Sequence, residues 1–379
     1  MTEETTSEKA LTIANGELEP TKPAALPVRD AATHETALIV DQFGAYVSKH
    51  SERLRVSVKR ETVAEAPLLF LEQLLVSGRG ISVSSDAIEA CCERGIPVYF
   101  LSGRGEPYAA LYAAGLGGTV LTRRAQLMAY GDGRGVAVAC AMAAGKINNQ
   151  ANLLRYMAKY RKATDPSLYQ ELRLGAGEVR DHLEELRALL GRVAESTIAI
   201  DDLRGQLLSI EGRAAQKYWH AVKAIVPVTL GWPGREGRGA KDPLNAALNY
   251  GYGVLYGQVE RALVLAGLDP YAGFIHVDRP GKPSLTLDLI EEFRAPVVDR
   301  AIFGTVNRGT ALAQDEEGML ILEVRRAIAE RVLERIEEST EPYEGKRQRL
   351  RFILQSQARH LAAYLRGERP AYTPFLSRW

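Results

Sequence analysis

The sequence predicts an α+β protein in which a small N-terminal β-sandwich-like domain, residues 37–118, precedes a larger all-α domain, residues 123–367. Short apolar runs separated by Gly and polar turns fill the first region and are typical of strands. Long amphipathic segments with few β-branched runs fill the second and are typical of helices. Residues 119–122 are the predicted linker, and residues 368–379 are a predicted C-terminal tail.

The N-terminal segment, the hydrophobic runs and the cysteines indicate which classes of protein can be excluded. Residues 1–36 are rich in Thr, Glu, Ala and Pro without a hydrophobic period, which predicts a disordered leader. The longest uncharged apolar run, Gly135–Ala144, is about half of the roughly 20 residues that a membrane span needs, and no signal segment is evident. Cys91, Cys92 and Cys140 provide neither a disulfide framework nor a CxxC zinc site. We therefore expect a cytoplasmic protein without a membrane partner.

Local patterns place the elements of both domains. Short apolar runs predict strands at Ala37–Val40, Leu54–Val58, Leu68–Leu71 and Ile96–Leu101. A helix with Ser85 or Asp86 as its N-cap is expected before the last of these strands, and Gly95 should end it. Helical periodicity then predicts eight helices: Arg123–Gly131, Arg134–Ala163, Asp165–Ala194, Asp201–Ile225, Pro243–Gly267, Ser284–Phe303, Met319–Glu338 and Gly345–Leu365.

Glu211 is a candidate functional carboxylate because it falls on the inward face of its predicted helix. Its neighbours three, four and seven residues away are apolar or aromatic: Leu207, Leu208, Ala214, Ala215 and Tyr218. A buried, unpaired carboxylate costs several kcal/mol, so a cation, a hydrogen-bond network or a metal is expected beside it. A structural ion pair with an arginine remains an equally acceptable explanation.

A second candidate group consists of His276, in a loop rich in Gly and Pro, and the acids of the helix that follows this loop. The next helix places Asp288 on the same face as Glu291 and Glu292, where like charges repel unless a cation is near. An imidazole with two carboxylates from separate segments suits Mn²⁺ or Mg²⁺. A solvated acidic helix face and a hydrogen-bonded histidine remain the alternatives.

A basic, glycine-rich loop at residues 232–241 is the third candidate. It contains Arg235, Arg238 and Lys241 directly before a helix that contains Asn245. These groups, with Lys282, are suited to holding phosphates, and a solvent-exposed surface loop is the alternative.

Several segments, in this order, resemble the CRISPR-associated integrases of the Cas-one family. They are Gly78–Ser85 with Gly95–Phe100, then Gln126, Gly145–Gln150, Asp242–Tyr252 and Ala266–Arg294. Short pieces such as Lys-Ile-Asn-Asn-Gln are weak singly, whereas the ordered set is specific. The resemblance extends from about Ala37 to Leu365.

The resemblance implies a homodimer with a helical catalytic domain that binds Mn²⁺ or Mg²⁺ through Glu211, His276 and Glu291, with Asp288 as an additional active-site acid. It implies an integrase of CRISPR adaptation, which inserts captured DNA fragments into a CRISPR array by attack of a 3′-hydroxyl, and which also cleaves DNA. The implied partners are the small Cas-two protein, double-stranded DNA fragments and CRISPR repeat DNA. The alternatives are a stand-alone metal-dependent nuclease acting on branched DNA and a non-catalytic DNA-binding scaffold.

Overall fold

The computed structural model describes residues 37–112, 120–193, 199–237 and 239–379. The predicted leader, residues 1–36, lies outside these ranges, as do Arg238 and the first residue of the predicted 119–122 linker. Residues 120–122 belong to the first helix of the second domain.

Two four-stranded sheets and one helix form the N-terminal domain, as the predicted fold class requires. The eight strands, β1 to β8, are Ala37–Val40, Ala45–His50, Arg53–Val58, Glu61–Pro67, Gln73–Ser77, Ser82–Val83, Val98–Leu101 and Pro107–Leu111. One sheet has the order β1-β5-β7-β8 and the other β4-β3-β2-β6. Helix α1, Ser85–Glu93, packs against these strands through Ala87 and Cys91, which belong to the hydrophobic core of this domain.

The strand predicted at Leu68–Leu71 is wrong, because these residues form the turn between β4 and β5. Leu68 and Leu71 are buried whereas Leu69 is 81% exposed, so the two apolar anchors are three residues apart, as a turn requires. The predicted N-cap, Ser85 or Asp86, is also wrong: Ser84 is the N-cap and accepts a hydrogen bond from the Ala87 amide.

The second domain is mainly helical. Its helices α2 to α11 are Val120–Ala129, Gly133–Lys159, Pro166–Val193, Ile200–Lys223, Pro243–Leu265, Ser284–Leu289, Glu291–Phe293, Arg300–Val306, Leu322–Glu338 and Leu350–Leu365. A 3₁₀ turn occupies Val228–Leu230. Among the residues that the structure describes, no helix is long and apolar enough to cross a membrane.

Two predicted helices differ from the structure. The helix expected over Ser284–Phe303 is divided into α7, α8, a π-helical segment at Arg294–Asp299 and α9. Pro296 has no amide hydrogen to donate to an α-helical ladder, which favours the wider turn. The helix expected from Gly345 begins at Leu350 instead, because β10, Lys346–Arg349, pairs with β9, Thr340–Tyr343, in an antiparallel hairpin.

The two domains share a closely packed interface. Leu75 of β5 and Tyr99 of β7 point into the core of the helical domain, whereas Leu74 points into the β-domain core, as alternation along a strand dictates. At the same interface a Cβ on Gly253 of α6 would lie 1.6 Å from the carbonyl oxygen of Gly105. Only glycine therefore permits this approach of the two backbones.

Candidate active site

Glu211 and Glu291 are brought together by a lysine from a third helix. Lys146 of α3 contacts Glu211 Oε1 and lies 2.8 Å from Glu291 Oε2. Arg294 adds a second cation, with its NH1 3.2 Å from Glu291 Oε1. The predicted inward carboxylate therefore has a cation partner, and that partner is shared with the second acid.

The electrostatics of this cluster depend on burial and on the paired charges. Burial alone would raise the pKa of Glu291, but Arg294 and Lys146 outweigh it and lower the pKa to about 2. Burial alone would lower the pKa of Lys146, but the carboxylates of Glu291 and Glu211 outweigh it and raise that pKa. Glu211 Oε2 and Glu291 Oε2 are nevertheless buried without a hydrogen bond. The 2.8 Å contact of Lys146 with Glu291 Oε2 is thus an ion pair without hydrogen-bond geometry.

The C-terminal segment fixes α8, which contains Glu291, against α3. The buried carboxylate of Glu292 accepts hydrogen bonds from the Tyr372 hydroxyl at 2.5 Å, from Gln357 Nε2 at 2.8 Å and from the Phe375 amide at 2.8 Å. Burial raises the pKa of Glu292 to about 7, although these hydrogen bonds oppose the rise. A Cβ on Gly145 would lie 3.1 Å from Glu292 Cγ, so glycine permits the close approach beside Lys146.

His276 is oriented by Asp288. Asp288 Oδ2 accepts the amide hydrogens of Phe274 and Ile275 at 2.6 and 2.9 Å, and Oδ1 accepts the His276 amide at 3.0 Å. His276 Nδ1 lies 2.7 Å from the same Oδ1. A carboxylate can only accept, so Nδ1 donates, and a neutral imidazole then presents an unprotonated Nε2.

The three acids predicted to share one helix face have separate environments. Asp288 binds His276 and its loop, Glu291 faces Lys146 and Arg294, and Glu292 binds the C-terminal segment. Repulsion among them was expected unless a cation lies near, and Lys146 and Arg294 are such cations beside Glu291.

Glu211, Glu291, Lys146 and Arg294 form what we call the two-carboxylate cluster, and the last three of them line a cavity of about 210 Å³. Its lining includes Lys146, Gln150, Arg235, Glu291, Arg294 and Asp299. The guanidinium carbons of Arg235 and Arg294 lie 5.4 and 4.9 Å from the centre of the Tyr252 ring, which places two cations on one aromatic side chain. The wall of the cavity therefore has two guanidinium groups suited to phosphate oxygens.

Asp299 forms the buried floor of this region. It accepts hydrogen bonds from the hydroxyls of Tyr218, at 2.7 Å, and of Tyr252. Burial raises the pKa of Asp299 to about 6, and Tyr252, Tyr218, Arg235 and Arg294 oppose the rise. Tyr252 is therefore held both by this carboxylate and by the two guanidinium groups.

Comparisons with known proteins identify the family of the chain. The family model described as CRISPR associated protein Cas1 matches residues 38–335. A relative from Archaeoglobus fulgidus, named CRISPR-associated endonuclease Cas1 1, is 36% identical over 353 residues, which cover 90% of this chain and 99% of that protein. The chain belongs to the Cas1 family. It therefore stands among CRISPR-associated endonucleases, and the resemblance to the Cas-one family is confirmed.

Solved structures with the Cas1 fold extend the comparison. A casposase bound to integration product has a TM-score of 0.74 at 21% identity, with 89% of this chain and 92% of that chain covered. A Cas6-RT-Cas1–Cas2 complex contains a chain with a TM-score of 0.69 at 21% identity, with 95% of this chain and 38% of that chain covered. These similarities confirm the predicted fold class.

The residues of this Cas1 protein form an incomplete version of the predicted metal site. Glu211 and Glu291 share Lys146, whereas His276 pairs with Asp288. Within residues 37–112, 120–193, 199–237 and 239–379, no three His, Cys, Asp or Glu side chains are close enough to hold a metal together. The donors nevertheless fit such an ion, since two buried carboxylate oxygens have no hydrogen bond and the imidazole presents a nitrogen.

The predicted phosphate-binding residues do not share one location. Arg235 lines the cavity beside Lys146, whereas Lys241 and Lys282 do not line it, and Arg238 lies outside the described residues. Asn245 is fully buried and organises the basic loop: its Nδ2 donates to Gly234 O at 2.7 Å and its Oδ1 accepts from the Glu236 amide at 3.1 Å. In this structure Asn245 therefore shapes the loop.

Sequence reasoning did not assign roles to Lys146, Arg294 or Asp299. Lys146 had a signal, because it is the only charged residue between Gly135 and Leu154, a stretch of α3 that is otherwise apolar or neutral. A lone charge in such a helix predicts a buried partner. Arg294 and Asp299 had no comparable signal, because their orientation depends on the π-helical segment.

Proposed function

We propose that this chain is a divalent-metal-dependent DNA integrase and endonuclease of CRISPR adaptation. The observation that supports this most is the meeting of Glu211 and Glu291, from separate helices, at the edge of a cavity that is lined by Arg235 and Arg294. In this reaction the 3′-hydroxyl oxygen of a captured DNA fragment forms a new P–O bond at a CRISPR repeat, while the P–O bond of the repeat strand breaks and releases a 3′-hydroxyl that takes up the proton. Water as nucleophile gives cleavage instead.

Glu211, Glu291 and His276 would hold Mn²⁺ or Mg²⁺, which supplies charge neutralisation at the phosphoryl group and orients the attacking oxygen. Asp288 keeps the proton on His276 Nδ1, so that Nε2 faces outward as an acceptor. Asp288 is therefore a positioning residue in this proposal. Arg235 and Arg294 bind phosphate oxygens, and their contacts with the Tyr252 ring keep both guanidinium groups at the wall of the cavity.

We further propose that the working assembly is a homodimer that binds a Cas2 protein, a double-stranded DNA fragment and CRISPR repeat DNA. The support is that chains of the same fold occur in a Cas6-RT-Cas1–Cas2 complex and in a casposase on its integration product. Light scattering of the chain alone and with Cas2 tests the stoichiometry. A monomer under both conditions would contradict the proposal.

The catalytic test is half-site integration of a labelled DNA fragment into a plasmid that contains a CRISPR repeat, measured with Mn²⁺. Glu211→Gln should reduce product formation by about 100-fold or more, because a group placed for the transition state is lost. The matched control is Glu178→Gln, which breaks a Glu–Lys pair of 3.2 Å on the exposed surface between α4 and α5. This control should retain normal activity.

The same assay separates the alternatives. Cleavage of branched DNA without integration at the repeat would favour a stand-alone nuclease. A protein that binds DNA but neither cleaves nor integrates it, and whose DNA binding is unchanged by Glu211→Gln, would be a scaffold. Both outcomes would contradict the proposed integrase.

A further inference from the structure

The charges of the two-carboxylate cluster are balanced in the structure. Glu211 and Glu291 supply two negative charges, and Lys146 and Arg294 supply two positive charges. Lys146 and Glu291 are largely buried, with side-chain exposures of 14% and 3%. A divalent cation added to this buried cluster would leave an excess of two positive charges, which is strongly unfavourable away from water.

One of the two resident cations must therefore move when an external cation binds. Arg294 is constrained, because its guanidinium carbon lies 4.9 Å from the centre of the Tyr252 ring and its side chain is packed in the cavity wall. Lys146 is a compact ammonium on a flexible stem and borders the same 210 Å³ cavity. The lysine is the group that can leave the carboxylates.

We propose that Lys146 is an internal substitute for the metal ion: its ammonium occupies the position between Glu211 and Glu291 in the metal-free protein and is displaced by the divalent ion. This inference rests on the proposed metal dependence, and adds that Lys146 and the metal ion compete for the same two carboxylates. Lys146 keeps two buried carboxylates together when no metal is present, and thereby lowers the affinity for the metal. Glu211 Oε2 is buried without a hydrogen bond and supports this, since one ammonium leaves part of the acceptor capacity unused.

The first test measures Mn²⁺ binding by calorimetry and thermal unfolding with and without Mn²⁺. Lys146→Met keeps the length of the side chain and removes its charge. We expect a lower melting temperature without metal, a larger Mn²⁺-induced increase, and an affinity for Mn²⁺ that rises roughly 5–100-fold, the usual range for coupling between ligands. Lys159→Met, at the exposed end of the same helix, is the matched control and should change none of these.

The second test needs no variant, so it remains informative if Lys146→Met does not fold. Wild-type protein is acetylated with an amine-reactive reagent with and without Mn²⁺, and modification is quantified by mass spectrometry. Lys146 should react several-fold faster with Mn²⁺, because its side chain has left the two carboxylates and its amine can meet the reagent in the cavity, while Lys159 is unaffected.

The outcomes distinguish this inference from the proposed function. Equal or weaker Mn²⁺ binding by Lys146→Met, or unchanged labelling of Lys146 in a wild-type protein that binds Mn²⁺, would overturn the inference and leave the metal-dependent function intact. Mn²⁺ binding by the variant alone would support the competition and contradict metal dependence of the wild type. Absence of Mn²⁺ binding by both proteins would overturn both proposals.

Discussion

Asp288→Asn tests whether the orientation of His276 depends on a buried carboxylate. Asp288 is fully buried and accepts from three amides, of Phe274, Ile275 and His276, and from the His276 ring. Asparagine has the same shape but only one acceptor oxygen, so its NH₂ group must face one of the two donor pairs.

The orientation of the new amide follows from which donors can adapt. The amides of Phe274 and Ile275 cannot change, whereas the His276 imidazole can move its proton from Nδ1 to Nε2. The asparagine oxygen should therefore face Phe274 and Ile275, and its NH₂ group should donate to Nδ1. The His276 amide loses its acceptor, and Nε2 becomes a donor that cannot bind a metal.

The expected magnitude follows from the bonds that are lost. Two hydrogen bonds to a charged acceptor contribute about 1.5–3 kcal/mol each, and the switched imidazole recovers part of this. Urea unfolding of Asp288→Asn should therefore show a free energy of unfolding lower by about 2–5 kcal/mol. Mn²⁺ affinity should fall by about 10–100-fold, as expected when the partner of a metal-binding histidine is lost.

The control is Asp315→Asn, an exposed loop residue whose Oδ1 accepts from the Glu317 and Met319 amides at 3.1 and 2.8 Å. Its free energy of unfolding should change by less than about 1 kcal/mol, and Mn²⁺ binding should not change. Nitrogen NMR of the His276 ring reports the tautomer directly. An unchanged tautomer together with wild-type stability in Asp288→Asn would refute the reasoning.

Three further predictions concern stability. Burial raises the pKa of Glu292 from 4.5 to about 7, so between these pH values the unfolded chain loses a proton that the folded chain retains, and stability falls as pH rises. In urea unfolding measured from pH 4.5 to 7, Glu292→Gln should remove up to roughly 3 kcal/mol of this decline in the free energy of unfolding. An unaltered dependence of the free energy of unfolding on pH would contradict the raised pKa of Glu292. Gly253→Ala should reduce the free energy of unfolding by about 3 kcal/mol or more, because the new Cβ clashes with Gly105. The control Gly177→Ala in α4, whose Cβ would meet no atom within 4 Å, should increase the free energy of unfolding by about 0.5–1 kcal/mol. Equal effects of the two substitutions would refute the close approach of the backbones. Asn245→Ala should make trypsin cleavage of the basic loop roughly tenfold faster, and cleavage at the wild-type rate would show that this buried amide does not hold the loop.

At the candidate site, residue patterns predicted which side chains are buried but not which distant residues they contact. Periodicity placed Glu211 on the buried face of α5, where the structure has it, because that inference needs only the geometry of one helix. A cation, a hydrogen-bond network or a metal was expected beside Glu211, and the structure places the cation Lys146 there, 65 positions earlier in the chain. Such a contact depends on how α3 packs against α5, which no local pattern encodes.

The amino-acid sequence was sufficient to predict the order of a β-domain and a helical domain, most helix positions and, through its ordered motifs, the family. Local periods, caps and turns report on interactions between residues close in the chain, which is why these features could be predicted. Three features became evident only from the folded chain: Asp288 orients His276, Glu292 binds the C-terminal segment, and Leu68–Leu71 is a turn. Each of these depends on which distant groups compete for one buried polar or apolar side chain, and that competition is settled by packing.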